Sequence, residues 1–125
     1  LPGLSTPWGT LNAIDMNTGK YLWKIPFGSE PALVNKGIKD PTGGENYGGP
    51  IITQSGLLII AATKDATLRI YQASSGKLLA SYSLPFASFA TPSTYRVNGK
   101  QYIVVTCGGT KLGTAKGNVV VAFSL

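Results

Sequence analysis

The chain has 125 residues, of which 16 are Gly and 8 are Pro, while 43% are hydrophobic and only 13% are charged. Gly and Pro in excess without a collagen repeat indicate many tight turns between short strands, which argues against a helical bundle. The apolar content is too high for a disordered chain. No apolar stretch is long enough to form a helix that crosses a membrane, so the sequence predicts none.

The basic residues outnumber the acidic ones. Eleven Lys and Arg residues against five Asp and Glu give a net charge of +6, and such a balance raises nucleic acid or an anionic membrane as a partner. The basic side chains are nevertheless scattered one or two at a time, without a basic run or a basic amphipathic helix. The sequence therefore predicts solvated lysines in turns and no nucleic-acid partner.

Short strands separated by turns follow each other along the chain, and helical periodicity is absent. The first two strands, 9–15 and 21–25, flank a Gly-containing turn. The stretch 26–50 carries four Pro and six Gly residues, which predicts a long irregular loop over 26–49. Cys107, the only cysteine, is predicted to be a small buried strand residue. The remaining predicted strands are 50–53, 57–62, 67–71, 78–83, 91–97, 101–106 and 118–123, with an Asn98-Gly99 hairpin turn.

One segment of the sequence is repeated. Residues 11–23 align with residues 68–80, with Leu, Gly-Lys and Leu at matching positions. Repeats that hold four short strands are typical of the blades of a β-propeller. Trp23 ends the first copy and is predicted to dock between adjacent blades, a contact that Ala80 cannot make in the second copy.

The repeat predicts an all-β fold, a fragment of a β-propeller with one whole blade and parts of its two neighbours. Residues 9–25 would form two outer strands of a blade, 50–83 a full blade, and 91–124 three strands of the last blade. Because the blades at both ends are incomplete, the chain looks like a piece of something longer.

Incomplete blades leave strand edges and apolar faces without partners. We expect faces bearing Ile51, Leu58, Ile60, Ile103 and Val105 to need apolar cover. The expected partner is the rest of the propeller, and a chain on its own is expected to self-associate.

Few residues suit catalysis. The sequence has no histidine, which excludes an imidazole base, a Ser-His-Asp arrangement and an ordinary zinc site. Asp15 and Asp65 are predicted to fix turns. The other three carboxylates lie in the long loop and are expected to be solvated: Glu30, Asp40 and Glu45. The sequence therefore assigns no catalytic residue and no metal ligand.

Four stretches carry a family resemblance: residues 6–15, 48–51, 60–65 and, above all, 90–105, which reads Ala-Thr-Pro-Ser-Thr-Tyr-Arg-Val-Asn-Gly-Lys-Gln-Tyr-Ile-Val-Val. They resemble the carboxyl-terminal end of quinoprotein dehydrogenases that use pyrroloquinoline quinone (PQQ), most closely the membrane-bound glucose dehydrogenase branch. The resemblance implies an eight-bladed propeller with the quinone and a calcium ion at its centre. It also implies a periplasmic enzyme, in some cases anchored to the membrane, that oxidises a sugar or alcohol.

The resemblance also implies roles for single residues. The calcium ligands and the aspartate base of the family lie upstream, so the chain alone is expected to be inactive. Tyr47 lies where some relatives place a tryptophan that stacks on the cofactor, and its ring would cover one face of the planar quinone. Thr110 and Lys111 follow Gly108-Gly109 in a segment that approaches the cofactor, and the ammonium would lie near the quinone carboxylates or its O5 carbonyl. The loop lacks the histidine of the sugar enzymes, which leaves the substrate open.

The repeats are also compatible with a function of a different class, protein binding without catalysis. Similar repeats occur in propellers without a cofactor, which bind proteins during outer-membrane assembly. The Gly-Gly segments with Tyr47, Thr110 and Lys111 favour the enzyme, because a scaffold has no need for them.

Overall fold

The structure is a computed structural model and describes residues 3–38 and 41–124. The described residues form three antiparallel sheets, of two, four and three strands, in the orders β1-β2, β3-β4-β5-β6 and β7-β8-β9. The strands are β1 (Thr10–Ile14), β2 (Tyr21–Pro26), β3 (Ile51–Ile52), β4 (Leu57–Ile60), β5 (Thr67–Gln72), β6 (Leu78–Ser83), β7 (Ser93–Val97), β8 (Lys100–Gly109) and β9 (Lys116–Ser124). No helix among the described residues is long and apolar enough to cross a membrane.

The tight turns follow from local sequence. Asn98 and Gly99 join β7 to β8 with φ values of 50° and 76°, the left-handed conformations that a two-residue hairpin requires. The Asp15 carboxylate accepts a hydrogen bond of 2.9 Å from the Asn17 backbone N–H, so it fixes the β1–β2 turn as predicted.

The three sheets stack face to face. Leu58, Ile60 and Tyr71 on one face of the central sheet pack against the β1-β2 sheet. Ile59 and Leu68 on its other face pack against the three-stranded sheet. Alternate residues of a strand point to opposite faces, so both faces of the central sheet are apolar and both are buried.

The apolar faces that lack partners are not those expected from the sequence. Leu58, Ile60, Ile103 and Val105 are all buried within the chain, because the neighbouring sheets already cover them. Ile51 is partly buried and packs against the same core as Ile103 and Val105. The exposed faces lie on the outer sides of the two flanking sheets. They carry Ile14, Leu22, Tyr95, Val97 and Val120.

Strand direction separates two kinds of connection. Because consecutive strands are antiparallel, the tight turns lie at one end of the sheets and the longer connections at the other. The longer connections are 27–50, 61–66, 84–92 and 110–115, and together they form what we call the loop end. Backbone hydrogen bonds join them, from the Ala62 N–H to the Ser88 carbonyl (2.8 Å) and from the Gly109 N–H to the Ala87 carbonyl (2.9 Å).

Several elements differ from the sequence-based expectation. The strands β8 and β9 extend beyond the predicted 101–106 and 118–123, β4 ends at Ile60, and a short 3-10 helix spans Lys111–Gly113. The long loop contains a one-turn helix, α1 (Pro31–Val34), which begins at a proline, the residue that suits the first helical position. The strand β3 covers only Ile51–Ile52, since Gly48-Gly49-Pro50 precedes it and a turn closed by Thr53 follows it.

Candidate functional site

Tyr47 lies at the loop end, half-exposed, and its backbone is held from both sides. Its N–H donates a hydrogen bond of 3.0 Å to the Ala62 carbonyl, and the preceding Asn46 forms a β-bridge with Thr63. The next residue, Gly48, has a φ of 122°, and a Cβ added there would lie 2.9 Å from the Phe89 carbonyl oxygen. Only glycine fits at this position, which brings two backbone segments together beside the Tyr47 ring.

Lys111 lies over the Tyr47 ring. Its ammonium nitrogen is 4.9 Å from the ring centroid, within the range of a cation–π interaction. Among the described residues no carboxylate pairs with this ammonium. The fold thus brings together Tyr47 and Lys111, two of the three residues singled out in the sequence. They belong to different connections of the loop end, 27–50 and 110–115.

Thr110, the third predicted residue, precedes Lys111 in a strained turn. Its φ is 73°, and Leu112 has a φ of 57°, conformations that are uncommon for residues other than glycine. Thr110 and Lys111 line a shallow pocket of about 280 Å³ with Phe89, Ala90 and Gly109. Tyr47 does not line this pocket and contacts it through the Lys111 side chain.

The Tyr47 hydroxyl has a carboxylate neighbour. It donates a hydrogen bond of 3.2 Å to Glu45 Oε1. This hydrogen bond, and secondarily the negative charge of Glu45, raises the pKa of Tyr47 above its ordinary value, because both favour the protonated phenol. Tyr47 is therefore a neutral donor at physiological pH.

Sequence reasoning missed a polar network at the loop end. Asp65 forms an ion pair with Arg69 at 2.5 Å, and both side chains are nearly buried. Asp65 also accepts hydrogen bonds from the Ser29 N–H at 2.9 Å and from the Thr63 hydroxyl at 2.6 Å. It fixes its own turn as predicted, but it also ties the long loop to the central sheet. The spacing of four between Asp65 and Arg69 was a weak signal for this pair.

Glu30 differs from the prediction that it is solvated. It is not solvated, because its carboxylate pairs with the Lys64 ammonium at 2.5 Å and only 12% of its side chain is exposed. Lys64 is accordingly not a solvated turn lysine. Asp40 lies outside the described residues. No group of three His, Cys, Asp or Glu residues that could hold a metal ion occurs within 3–38 and 41–124.

Comparison with known proteins identifies the family. The family model for PQQ glucose, ethanol and alcohol dehydrogenases, β-propeller domain, matches residues 1–103. Quinate/shikimate dehydrogenase (quinone) of Acinetobacter baylyi is 40% identical over 131 residues, which cover 100% of this chain and 16% of that protein. Quinoprotein glucose dehydrogenase of Escherichia coli is also 40% identical, over 130 residues, with 100% and 16% covered. The chain thus spans about one sixth of the length of these relatives.

Solved structures share the fold. The quinohemoprotein alcohol dehydrogenase ADHIIG of Pseudomonas putida superposes with a TM-score of 0.62 at 24% identity, covering 79% of this chain and 12% of that one. The quinohemoprotein alcohol dehydrogenase of Comamonas testosteroni gives a TM-score of 0.61 at 21% identity, with 92% and 16% covered. These similarities confirm an all-β fragment of a propeller, with one four-stranded sheet between two partial ones. The chain belongs to the β-propeller domain of the PQQ-dependent dehydrogenases.

Proposed function

We propose that this chain is part of a PQQ-dependent dehydrogenase that oxidises a sugar, an alcohol or a related hydroxylated compound. In this proposal Tyr47, Thr110 and Lys111 form part of the wall of the quinone site. The observation that carries the proposal is the Lys111 ammonium lying 4.9 Å from the centroid of the Tyr47 ring. A cation and a flat ring, presented together by glycine-rich segments, suit a planar anion.

The residues present fit such a group. The Tyr47 ring offers a flat surface, and the close approach of Gly48 to Phe89 leaves no side chain between their backbones. The Lys111 ammonium has three donors and no carboxylate partner among the described residues. It can therefore donate to a carboxylate or a carbonyl oxygen of the quinone, while the Thr110 hydroxyl lies in the same turn.

The bound quinone would supply the two-electron acceptor for the alcohol carbon, and this chain would hold one side of it. The carboxylates Asp15, Glu30, Glu45 and Asp65 are committed to turns, ion pairs or the Tyr47 hydroxyl. In this proposal the base that removes the hydroxyl proton, and the ligands of the calcium ion, lie elsewhere in the parent enzyme. We therefore propose that the rest of the propeller completes the site.

The proposal extends to two further features of the parent enzyme, its electron acceptor and its location. Two relatives carry the word quinone in their names, quinate/shikimate dehydrogenase (quinone) and probable quinate dehydrogenase (quinone). We therefore propose a quinone as the electron acceptor of the parent enzyme. A periplasmic location, with or without a membrane anchor, belongs to the same proposal.

The test uses the full-length dehydrogenase that contains this chain. Tyr47→Ala is expected to weaken PQQ retention, measured by equilibrium dialysis, and to leave the melting temperature of the apo form nearly unchanged, because the ring is half-exposed. Tyr21→Ala is the matched control, since Tyr21 is exposed and also has a lysine, Lys24, over its ring at 5.5 Å. Equal loss of stability and affinity at Tyr47 would mark it as a packing residue. A protein that binds no PQQ at all would favour the protein-binding propeller instead.

A further inference from the structure

A second pocket opens at the loop end, between α1 and the turn that carries Lys111. Its volume is about 540 Å³, nearly twice that of the pocket beside Thr110. Pro31, Pro85, Phe86 and Leu112 supply apolar walls. The Phe86 ring is held firmly, since a Cβ on Gly117 would lie only 2.6 Å from its Cγ atom.

The same pocket has polar groups on its rim. The Lys64–Glu30 ion pair lies in its wall, and Asn35 and Thr114 line it as well. One proton of the Lys64 ammonium is directed to Glu30, which leaves two for a ligand, and 24% of the Lys64 side chain remains exposed. Apolar walls with a few donors are typical of a site for a flat organic ring that carries oxygen acceptors.

A thin wall separates this pocket from the candidate quinone site. Ala87 lines the second pocket and Phe89 lines the first, while the buried Ser88 between them lines neither. The hydrogen bond from the Gly109 N–H to the Ala87 carbonyl, at 2.9 Å, closes the wall. Ser88, fully buried in this segment, has a hydroxyl oxygen without a hydrogen-bond partner among the described residues. A buried polar atom of this kind calls for a further partner.

We propose that the second pocket binds the headgroup of the electron-accepting quinone. The ring would lie between the apolar walls, and Lys64 would donate to one of its carbonyl oxygens. Reduction of this quinone to the quinol takes up two electrons and two protons, which the reduced cofactor gives up on returning to its quinone form. The proposal rests on the function proposed above and adds the position of the acceptor.

The test fills the pocket in the full-length, PQQ-loaded enzyme. Ala32→Trp introduces a large ring from α1 into the pocket, where Ala32 is an exposed lining residue. Val34→Trp is the matched control, because Val34 is half-exposed on the same helix and does not line the pocket. Each variant is assayed with one substrate and two acceptors, a short-chain ubiquinone and a phenazine dye.

Ala32→Trp is expected to raise the KM for the ubiquinone about tenfold, equivalent to about 1.4 kcal/mol of lost binding. The rate with the dye and the KM for the substrate are expected to stay unchanged. Val34→Trp should behave like the wild type. A photoreactive azido-quinone, applied without substrate, should label the peptides that contain Phe86 and Leu112, and Ala32→Trp should suppress that labelling.

Three outcomes overturn the proposal in different ways. Equal loss with both acceptors would show that the pocket does not select the quinone. A raised KM for the substrate alone would assign the pocket to the hydroxylated substrate. Labelling elsewhere would move the acceptor site. A wild-type enzyme that shows no PQQ-dependent dye reduction would contradict the proposed function itself. The dye assay therefore distinguishes a failure of the proposed function from a failure of the acceptor-site proposal.

Discussion

The indole ring of Trp23 lies directly on the α-carbon of Gly76. A Cβ added to Gly76 would come within 2.7 Å of the Trp23 Cε3 atom, and the indole N–H donates a hydrogen bond of 2.9 Å to the Ala73 carbonyl. The first sheet is thereby fixed to the β5–β6 turn of the central sheet. The position equivalent to Gly76 in the first copy of the repeat is Gly19, which has nothing within 4 Å of its added Cβ.

This difference predicts unequal costs for the same substitution. Gly19→Ala should cost only the strain of a left-handed residue, about 1 to 2 kcal/mol, since Gly19 has a φ of 69°. Gly76→Ala should cost the same strain, at a φ of 74°, plus about 1 to 3 kcal/mol for the clash with the ring. Urea denaturation of the two variants measures the loss of unfolding free energy in each. Equal losses would show that Trp23 does not hold Gly76 in solution.

The ion pair between Asp65 and Arg69 predicts a second stability difference. Asp65→Asn removes the charge opposite a nearly buried guanidinium, and it should cost about 2 to 4 kcal/mol. Asp15→Asn is the control, because Asp15 is a partly buried turn residue without a salt bridge among the described residues. Asparagine still accepts the hydrogen bond from Asn17, so the effect should stay within about 0.5 kcal/mol. Chemical denaturation near neutral pH measures the free energy of unfolding of both variants. Similar values would place Arg69 in solvent rather than against Asp65.

The phenol of Tyr47 should titrate above the ordinary tyrosine pKa of 10.0. Because the fold raises this pKa, the contribution of Tyr47 to stability is present below pH 10 and is lost as the pH rises through the raised pKa. Glu45→Gln removes the charge and should move the Tyr47 titration towards lower pH. The difference between the ultraviolet titrations of wild type and variant isolates this one tyrosine among six. Identical curves would mean that Glu45 does not contact the phenol.

The chain by itself should not oxidise sugars or alcohols. A site assembled from many blades loses most of its positioning contacts when a few are present, and the carboxylates Asp15, Glu30, Glu45 and Asp65 are already committed. The assay supplies glucose or quinate with PQQ, calcium and a dye. Turnover above the rate without protein would contradict this expectation.

The exposed faces of the flanking sheets should make the isolated chain self-associate. Val120 is 65% exposed near the middle of β9, and Tyr95 stacks on Tyr102 across β7 and β8 with ring centroids 5.2 Å apart. Apolar cover for such a face contributes about 25 cal/mol per Å². Sedimentation velocity over a range of concentrations should show dimers or larger species, and Val120→Glu should shift them towards the monomer. A folded monomer at all concentrations would exclude this expectation.

The sequence predicts the sheets well because strand signals are local. The alternation of residues in β9 and the Asn98-Gly99 turn depend only on neighbouring residues. The blade boundaries 9–25, 50–83 and 91–124 stay predictions, and the shortness of β3 was not foreseen. Gly48, just before β3, has a φ of 122° and lies so close to the distant Phe89 backbone that an added Cβ would be 2.9 Å from its carbonyl oxygen. No local sequence pattern records such a contact.

The candidate site could be predicted only in part for the same reason. Tyr47 and Lys111 were found through their place in a family motif, whereas their mutual contact required the fold. The pairs Glu30–Lys64 and Asp65–Ser29 join segments far apart in the sequence. Polar and charged residues of these types are mostly exposed in proteins, so the sequence alone predicts exposure. Only the packing of the loop-end connections against one another makes their environment different.

The reactivity of the Cys107 thiol reports how often the sheet that contains it opens. Cys107 is the only thiol, it lies fully buried in β8, and burial raises its pKa so that little reactive thiolate forms. Any reaction with a thiol reagent must wait until β8 separates from the central sheet. The labelling rate under native conditions therefore reports how often the three-stranded sheet detaches, and comparison with global unfolding tells whether the sheets open singly or together.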